Sequence, residues 1–160
     1  MDKCLLYRTA IENDYEELCK FPQNKEELFF MFPKAEYPLT FNQLKHNAQS
    51  RFNSTVIIQD GNIIGYANFY EVIKNKYCSI GNVIIKPNCR GKGIGEFLIN
   101  TMERIAIKEY NISEIHLSCF NTNTIGILLY SKLGYKPYEI EKWTNVNNES
   151  FALIKFKKIL

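Results

Sequence analysis

The chain predicts an α/β (α+β mixed) fold, a mixed sheet with helices laid on it, in a single domain over residues 1–160. Two observations predict it. The first is order: strand patterns come as consecutive hairpins from Thr55 to Ile85, then as a strand–helix–strand unit up to Cys119. The second is the stretch Val83-Ile-Ile-Lys-Pro-Asn-Cys-Arg-Gly-Lys-Gly-Ile-Gly-Glu-Phe97, where an apolar strand enters a glycine-rich basic turn that opens an amphipathic helix. The 160 residues, 46% hydrophobic and 23% charged, suffice for one full core.

Leu5 to Arg8 reads as a first strand and Ile11 to Lys20 as a helix with Glu12, Asp14 and Glu16 in its early turns, broken at Phe21-Pro22. Lys25 to Met31 is a second short helix. Thr40 is the N-cap of a third, Phe41 to about Arg51, with Gln43 placed to close a capping box. Thr55–Gln59 and Ile63–Ile73 are strands joined by the hairpin turn Asp60-Gly61-Asn62, and Asn75-Lys76 turns the chain into Tyr77–Ile85. The helix from about Gly93 to Tyr110 carries the stripe Ile94, Leu98, Met102, Ile105. Ile115–Cys119 is a strand. A helix from about Thr122 to Leu133 follows, stopped by Gly134, with Ile125, Leu128, Leu129 and Leu133 as its core stripe. Tyr135–Trp143 and Phe151–Phe156 close the sheet around Asn145-Val-Asn-Asn. No internal repeat or linker interrupts the chain.

The turn at residues 90–95 reads as a pyrophosphate seat. A helix N-terminus has unpaired N–H donors and a partial positive charge. Gly91, Gly93 and Gly95 let a phosphate approach those donors, and Arg90 and Lys92 add full charges. The third glycine of a G-x-G-x-x-G dinucleotide fingerprint would fall on Glu96, and no glycine precedes Lys and then Ser or Thr as a Walker loop requires. What stands there is Arg-x-x-Gly-x-Gly, Arg90 to Gly95. A second constellation lies on the last helix, where Asn123, Gly126 and Tyr130 share one face: an amide, a gap and a phenol suited to an extended ligand.

Other chemistries find little support. A net charge of +3 without a long basic tract gives nucleic-acid binding no electrostatic footing. Five scattered cysteines include no C-x-x-C pair, so neither zinc nor a redox pair is expected, and reduced thiols in the cytoplasm are the simplest reading. No apolar run approaches a membrane span and the N-terminus lacks a signal-peptide pattern. His46 and His116 lack partners at metal or triad spacing.

Arg90-x-x-Gly93-x-Gly95, followed 33 residues after Arg90 by Asn123-x-x-Gly126-x-x-Leu129-Tyr130-x-Lys132-x-Gly134-Tyr135, resembles the two signatures of the GNAT superfamily of N-acetyltransferases, in the family's order. Gly126 stands for the usual alanine and Tyr135 for phenylalanine. The resemblance runs from about Ser79 to Pro137 and hardly touches residues 9–53.

That resemblance implies a central mixed, mostly antiparallel sheet of about seven strands flanked by helices. It implies acetyl-CoA as acyl-donor co-substrate, with no metal. Arg90, Gly91, Lys92, Gly93, Ile94 and Gly95 would hold its pyrophosphate, and the strand Val83, Ile84, Ile85 would pair with the pantetheine arm. A backbone N–H near Val83 or Ile84 would polarise the thioester carbonyl. Asn123 would contact the cofactor arm, Lys132 lies in the same frame, and Tyr130 would protonate the departing thiolate. Many relatives keep a basic glutamate where this chain has Ser79. Glu71 is a substitute, and water relayed by Asn82, or no dedicated base, stays open. Phe32, Tyr37 and Tyr70 are the candidate acceptor contacts. The expected activity is acetyl transfer to a primary amine of a small molecule (an aminoglycoside, polyamine or amino-acid-like metabolite). A protein N-terminus or lysine as acceptor, a silent acyl-CoA-binding sensor, a longer acyl donor and a homodimer stay open.

Overall fold

The computed structural model describes residues 4–160. Among them, seven strands form one sheet in the order β1-β2-β3-β4-β5-β7-β6. They are β1 (Leu5–Thr9), β2 (Phe52–Gln59), β3 (Asn62–Ile73), β4 (Tyr77–Ile85), β5 (Glu114–Phe120), β6 (Lys136–Thr144) and β7 (Ser150–Ile159). Only β4 and β5 run parallel. Tight turns can join only antiparallel neighbours, and β4 reaches its parallel neighbour β5 through a long helical crossover, as a parallel pair requires. At the β2–β3 turn Asp60 and Gly61 take left-handed backbone between the paired Gln59 and Asn62.

Helices α1 (Tyr15–Leu18), α2 (Lys25–Met31) and α3 (Phe41–Gln49) cover one face of the sheet, and α4 (Ile94–Tyr110) and α5 (Thr124–Lys132) the other. On the α4 face Leu98, Ile99, Met102 and Ala106 are buried with Ile57, Phe69, Ile80, Ile115 and Leu117. Each large side chain fully buried there contributes about 1.5–3 kcal/mol. The opposite face buries Leu18, Phe21, Leu28, Met31 and Leu44 with Val56, Tyr66 and Ile84.

Three expectations need correction. The helix expected over 11–20 is a 3₁₀ turn, Glu12–Asp14, followed by one α-turn. The Asp14 carboxylate turns back to accept from the Ile11 N–H at 2.8 Å and from Arg8 at 2.7 Å, which fixes the tighter start. Thr40 does cap α3, accepting from the Gln43 N–H at 3.3 Å, but Gln43 does not close a capping box. Its amide bonds to Glu36 N–H, Glu36 C=O and Pro38 C=O, and pins the preceding loop onto α3.

The third correction is α5. Of the expected stripe, Leu129 and Leu133 do pack against the core, but Ile125 and Leu128 are 81% and 65% exposed, and Gly126 and Tyr130 are buried in their place. Apolar residues ring this helix, so spacing alone could not choose its inner face. Close approach to β5 decides it. A Cβ on Gly126 would stand 3.0 Å from Cys119 Sγ and 2.7 Å from Asn123 Nδ2. Gly126 therefore makes room for β5 and for the helix's own N-cap.

Candidate active site

β4 and β5 begin as neighbours and then part. Their pairing runs from Tyr77–Glu114 to Ile80–Leu117 and stops, while β4 continues with β3 to Ile85 and β5 continues with β7 to Phe120. The cause is local: Asn82 has a φ of 52°, and the β3–β4 register slips there, a bulge that bends the strand. Asn82 is held from both sides. Its Oδ1 accepts from Asn68 Nδ2 at 2.9 Å, and its Nδ2 donates to the Met31 carbonyl of α2 at 2.9 Å.

Beyond the bulge, the Lys86 N–H donates to Ile64 C=O at 2.9 Å. Alternation then directs the backbone of Ile84 toward β3 and that of Val83 and Ile85 into the gap. The Ile84 side chain packs in the α1–α3 core. Helix α2 roofs the gap, tied to β4 through Met31 and to β5 through Phe29, whose ring stacks on Phe120 with centroids 4.3 Å apart.

The gap leads to the glycine turn. Gly91 and Gly93 have φ of 71° and 80°, and a Cβ on either would meet nothing within 4 Å. No hydrogen bond among the described residues uses the N–H of Gly91, Lys92 or Gly93. The first turn of α4, Ile94 to Glu96, adds donors without partners four residues back. Gly95 lets the helix pack: a Cβ there would stand 3.0 Å from Leu129. A row of free donors, open space at two glycines and an unpaired strand edge fit a diphosphate with an amide-bearing arm.

The charges around the turn are engaged within the chain. Arg90 donates to Glu27 of α2 at 2.6 and 3.2 Å, to Phe21 C=O at 3.2 Å and to Ile85 C=O at 3.0 Å. Burial alone would raise the Glu27 carboxyl, but the hydrogen bonds from Arg90 and the Gln23 N–H and the Arg90 charge outweigh it and hold it below the usual range. Arg90 thus fastens the turn to α2. Lys92 folds onto Asn88 C=O at 3.0 Å, and Lys132 pairs with Glu96 at 2.8 Å.

On the other face, Asn123 Oδ1 accepts from the Gly126 N–H at 3.0 Å and caps α5. Tyr130 is buried in the core cluster with Ile94, Leu98, Cys119 and Tyr135. Burial first, and then the neighbouring Cys119, push its phenol far above the ordinary tyrosine range, so it stays protonated at any working pH. Burial pushes the Cys119 thiol up to about 12, which makes it an inert core thiol.

The acceptor-side residues are only partly brought together. A second bulge, at Tyr70, separates the Phe69–Ile80 and Glu71–Ser79 pairs. Val72 packs in the α4-side core, so Tyr70 and Glu71 both face the α1–α3 side, which unbroken alternation would forbid. Glu71 is exposed beside Ser79, and burial together with the Glu71 carboxylate holds the Tyr77 phenol above its ordinary range. Tyr77 stacks on His116, centroids 4.1 Å apart, and His116 is 2.8 Å from Glu114. Phe32 caps α2 and packs in the core, and the Tyr37 hydroxyl donates to Gln23 C=O at 3.1 Å, so both belong to the α1–α2 layer.

Three features escaped the sequence. Glu27 as Arg90's partner has no local signal. Arg51 lies in the segment with the least family resemblance, yet it ends over Tyr70. The aromatic cluster of Phe29, Phe120, Trp143 and Phe151 was within reach: Trp143 and Phe151 are cross-strand partners about a turn the sequence does show.

A family model described as Acetyltransferase (GNAT) family matches residues 14–135. The chain belongs to this family. It is an acyltransferase by that membership, and the family uses acetyl-CoA. Among curated relatives, a [ribosomal protein bS18]-alanine N-acetyltransferase of Haemophilus influenzae is 28% identical over 127 residues, 79% of this chain and 82% of the relative. Spermidine N-acetyltransferase from Vibrio cholerae, solved with CoA and spermine, superposes with a TM-score of 0.80 at 19% identity, covering 97% of this chain and 95% of that one. The ribosomal-protein-S18-alanine N-acetyltransferase of Escherichia coli gives 0.75 at 16% identity, covering 98% and 94%. These two solved structures support the fold. They act on different acceptors, one a polyamine and the other a protein alanine.

Proposed function

We propose that this chain moves the acetyl group of acetyl-CoA directly onto the primary amine of a small molecule. The observation that carries the proposal is the parting of β4 from β5 above a turn of unpaired N–H groups. The N–H groups of Gly91 to Gly95, with Ile94 opening the helix and the Lys92 charge beside them, hold the diphosphate. Arg90 acts through the turn it braces, and Lys132 steadies the α4–α5 rim through Glu96.

Val83 and Ile85 hydrogen-bond to the amide arm, and the Val83 N–H polarises the thioester carbonyl as negative charge builds on its oxygen. Asn123 keeps α5 capped with its oxygen and offers its amide nitrogen to the arm. Tyr130 donates its proton toward the sulfur as the thiolate departs. Glu71, turned to the acceptor face by the Tyr70 bulge, receives the proton lost by the amine through water.

A second reading, acetylation of a protein N-terminus, is favoured by the named role of the curated relatives. One experiment separates them: CoA release measured across small amines and alanine-starting peptides. Preference for free amines supports the first reading, and turnover of peptides alone replaces it. In parallel, calorimetry with acetyl-CoA should show Gly93→Val weakening binding at least ~10-fold, because a β-branched residue is strained at that φ and intrudes on the cradle. Equal affinity in the two proteins would overturn the placement of the diphosphate.

A further inference from the structure

Arg51 stands between α3 and β2 and reaches across the acceptor face of the sheet. Its guanidinium lies over the Tyr70 ring, 5.6 Å from the centroid. Its Nη1 is 3.1 Å from where a Cβ on Gly81 would stand, a space open only because residue 81 is glycine. Gly81 immediately follows the last β4–β5 pair, so this charge sits at the mouth of the gap.

Arg51 is half-buried, yet it pairs with no carboxylate among the described residues. Burial, against the weaker influence of Tyr66 and Tyr70, lowers its pKa. Arg8 pairs with Asp14 and Arg90 with Glu27, while Arg104 donates to Thr101 Oγ1 and lies over the Phe97 ring. A half-buried cation without a counter-ion is costly unless something supplies one. Beneath it, Asn68 Oδ1 is buried without a hydrogen-bond partner, 3.6 Å from the same Cβ position. The hydrogen bonding of this pocket is not completed by the chain's own side chains.

We propose that Arg51 is the anion seat of the acceptor pocket and that the amine acetylated here carries a carboxylate a few bonds from its nitrogen. The inference rests on the acetyl-transfer reading above. Val83, whose N–H faces the thioester in that reading, lies two residues beyond Gly81, at most about 7 Å along the strand. An amino acid spans that distance with its carboxylate on the guanidinium fork and its amine at the thioester carbon. Tyr70 limits the guanidinium's freedom and so favours a two-point bond. The same unpaired cation disfavours a polyamine, and a peptide N-terminus brings no carboxylate to this distance.

The test compares free α-amino acids with their carboxamides, alongside spermidine and an alanine-starting peptide, by CoA release, with acetyl-CoA affinity measured separately by calorimetry. The expected result is a kcat/KM preference for carboxylates over carboxamides of at least ~30-fold, expressed mainly in KM. Arg51→Gln should bring that ratio near one, and Arg51→Lys should retain part of it, with acetyl-CoA affinity unchanged in both. The Lys variant keeps the charge and serves as the control if Arg51→Gln melts early. Turnover of spermidine, the peptide or carboxamides as good as that of amino acids overturns the anion seat while leaving acetyl transfer intact. Failure to bind acetyl-CoA would overturn both.

Discussion

Tyr130 and Asp14 show how one environment sets the use of one side chain. Tyr130 is enclosed among apolar neighbours, which keeps its proton in place and available. Tyr130→Phe should lower the turnover number by about 100-fold with little change in acetyl-CoA affinity, read by steady-state CoA release and calorimetry; equal turnover removes Tyr130 from the chemistry. Asp14 is a structural case. Burial would raise its carboxyl, but the Arg8 hydrogen bond, the Ile11 N–H and the Arg8 charge together hold it below the usual aspartate range. A folded-state pKa below the unfolded one stabilises fully above the unfolded value, and that contribution is lost as pH falls through the folded value. Urea unfolding of Asp14→Asn should therefore show a smaller loss of stability between pH 6 and pH 3 than the parent does. An identical loss would mean that Asp14 plays no part in acid sensitivity.

At the scale of elements, α4 is held by more than its apolar stripe. Glu103, buried on its inner face, accepts from the Tyr135 hydroxyl at 2.8 Å and from Lys158 of β7 at 3.0 Å. The three groups join α4, the entry to β6 and the end of β7. Glu103→Leu leaves the phenol and the ammonium without their acceptor, and Lys158's partial exposure returns some of the loss. The expected cost is about 2–3 kcal/mol, or roughly 5–10 °C in melting temperature, with catalytic constants little changed at 25 °C. A melting temperature equal to the parent's would show the network to be neutral. Elements were also where legibility varied most. Lys25–Met31 and Tyr77–Ile85 fall where turn residues and caps predict them. The stripe on α5 falls only in part: Leu129 and Leu133 pack inward, while Ile125 and Leu128 face out because Gly126 and Tyr130 take the close approach to β5.

Over the whole molecule, two pins connect the layers. Asn82 joins the β4 bulge to the Met31 carbonyl, and Arg90 joins the glycine turn to Glu27. A ligand seated on the turn should therefore be felt in α2. Acetyl-CoA is expected to slow amide hydrogen exchange in residues 21–31 as well as 83–96, and protection confined to the turn would show the layers to be uncoupled. No helix among the described residues is long and apolar enough to cross a membrane. The sequence by itself determined the order of strands and helices, the hairpin turn at Asp60-Gly61-Asn62, and the glycine-rich, donor-rich start of α4. Each of these follows from local backbone chemistry within a few residues. Only the tertiary structure decided the bulge at Asn82 where β4 parts from β5, that Ile125 and Leu128 of α5 face out, that Arg90 serves Glu27, and that Arg51 and Glu71 lie on the α1–α3 face of the sheet. Those outcomes depend on two bulges and on partners distant in the chain, and a residue's spacing from its sequence neighbours carries no record of either.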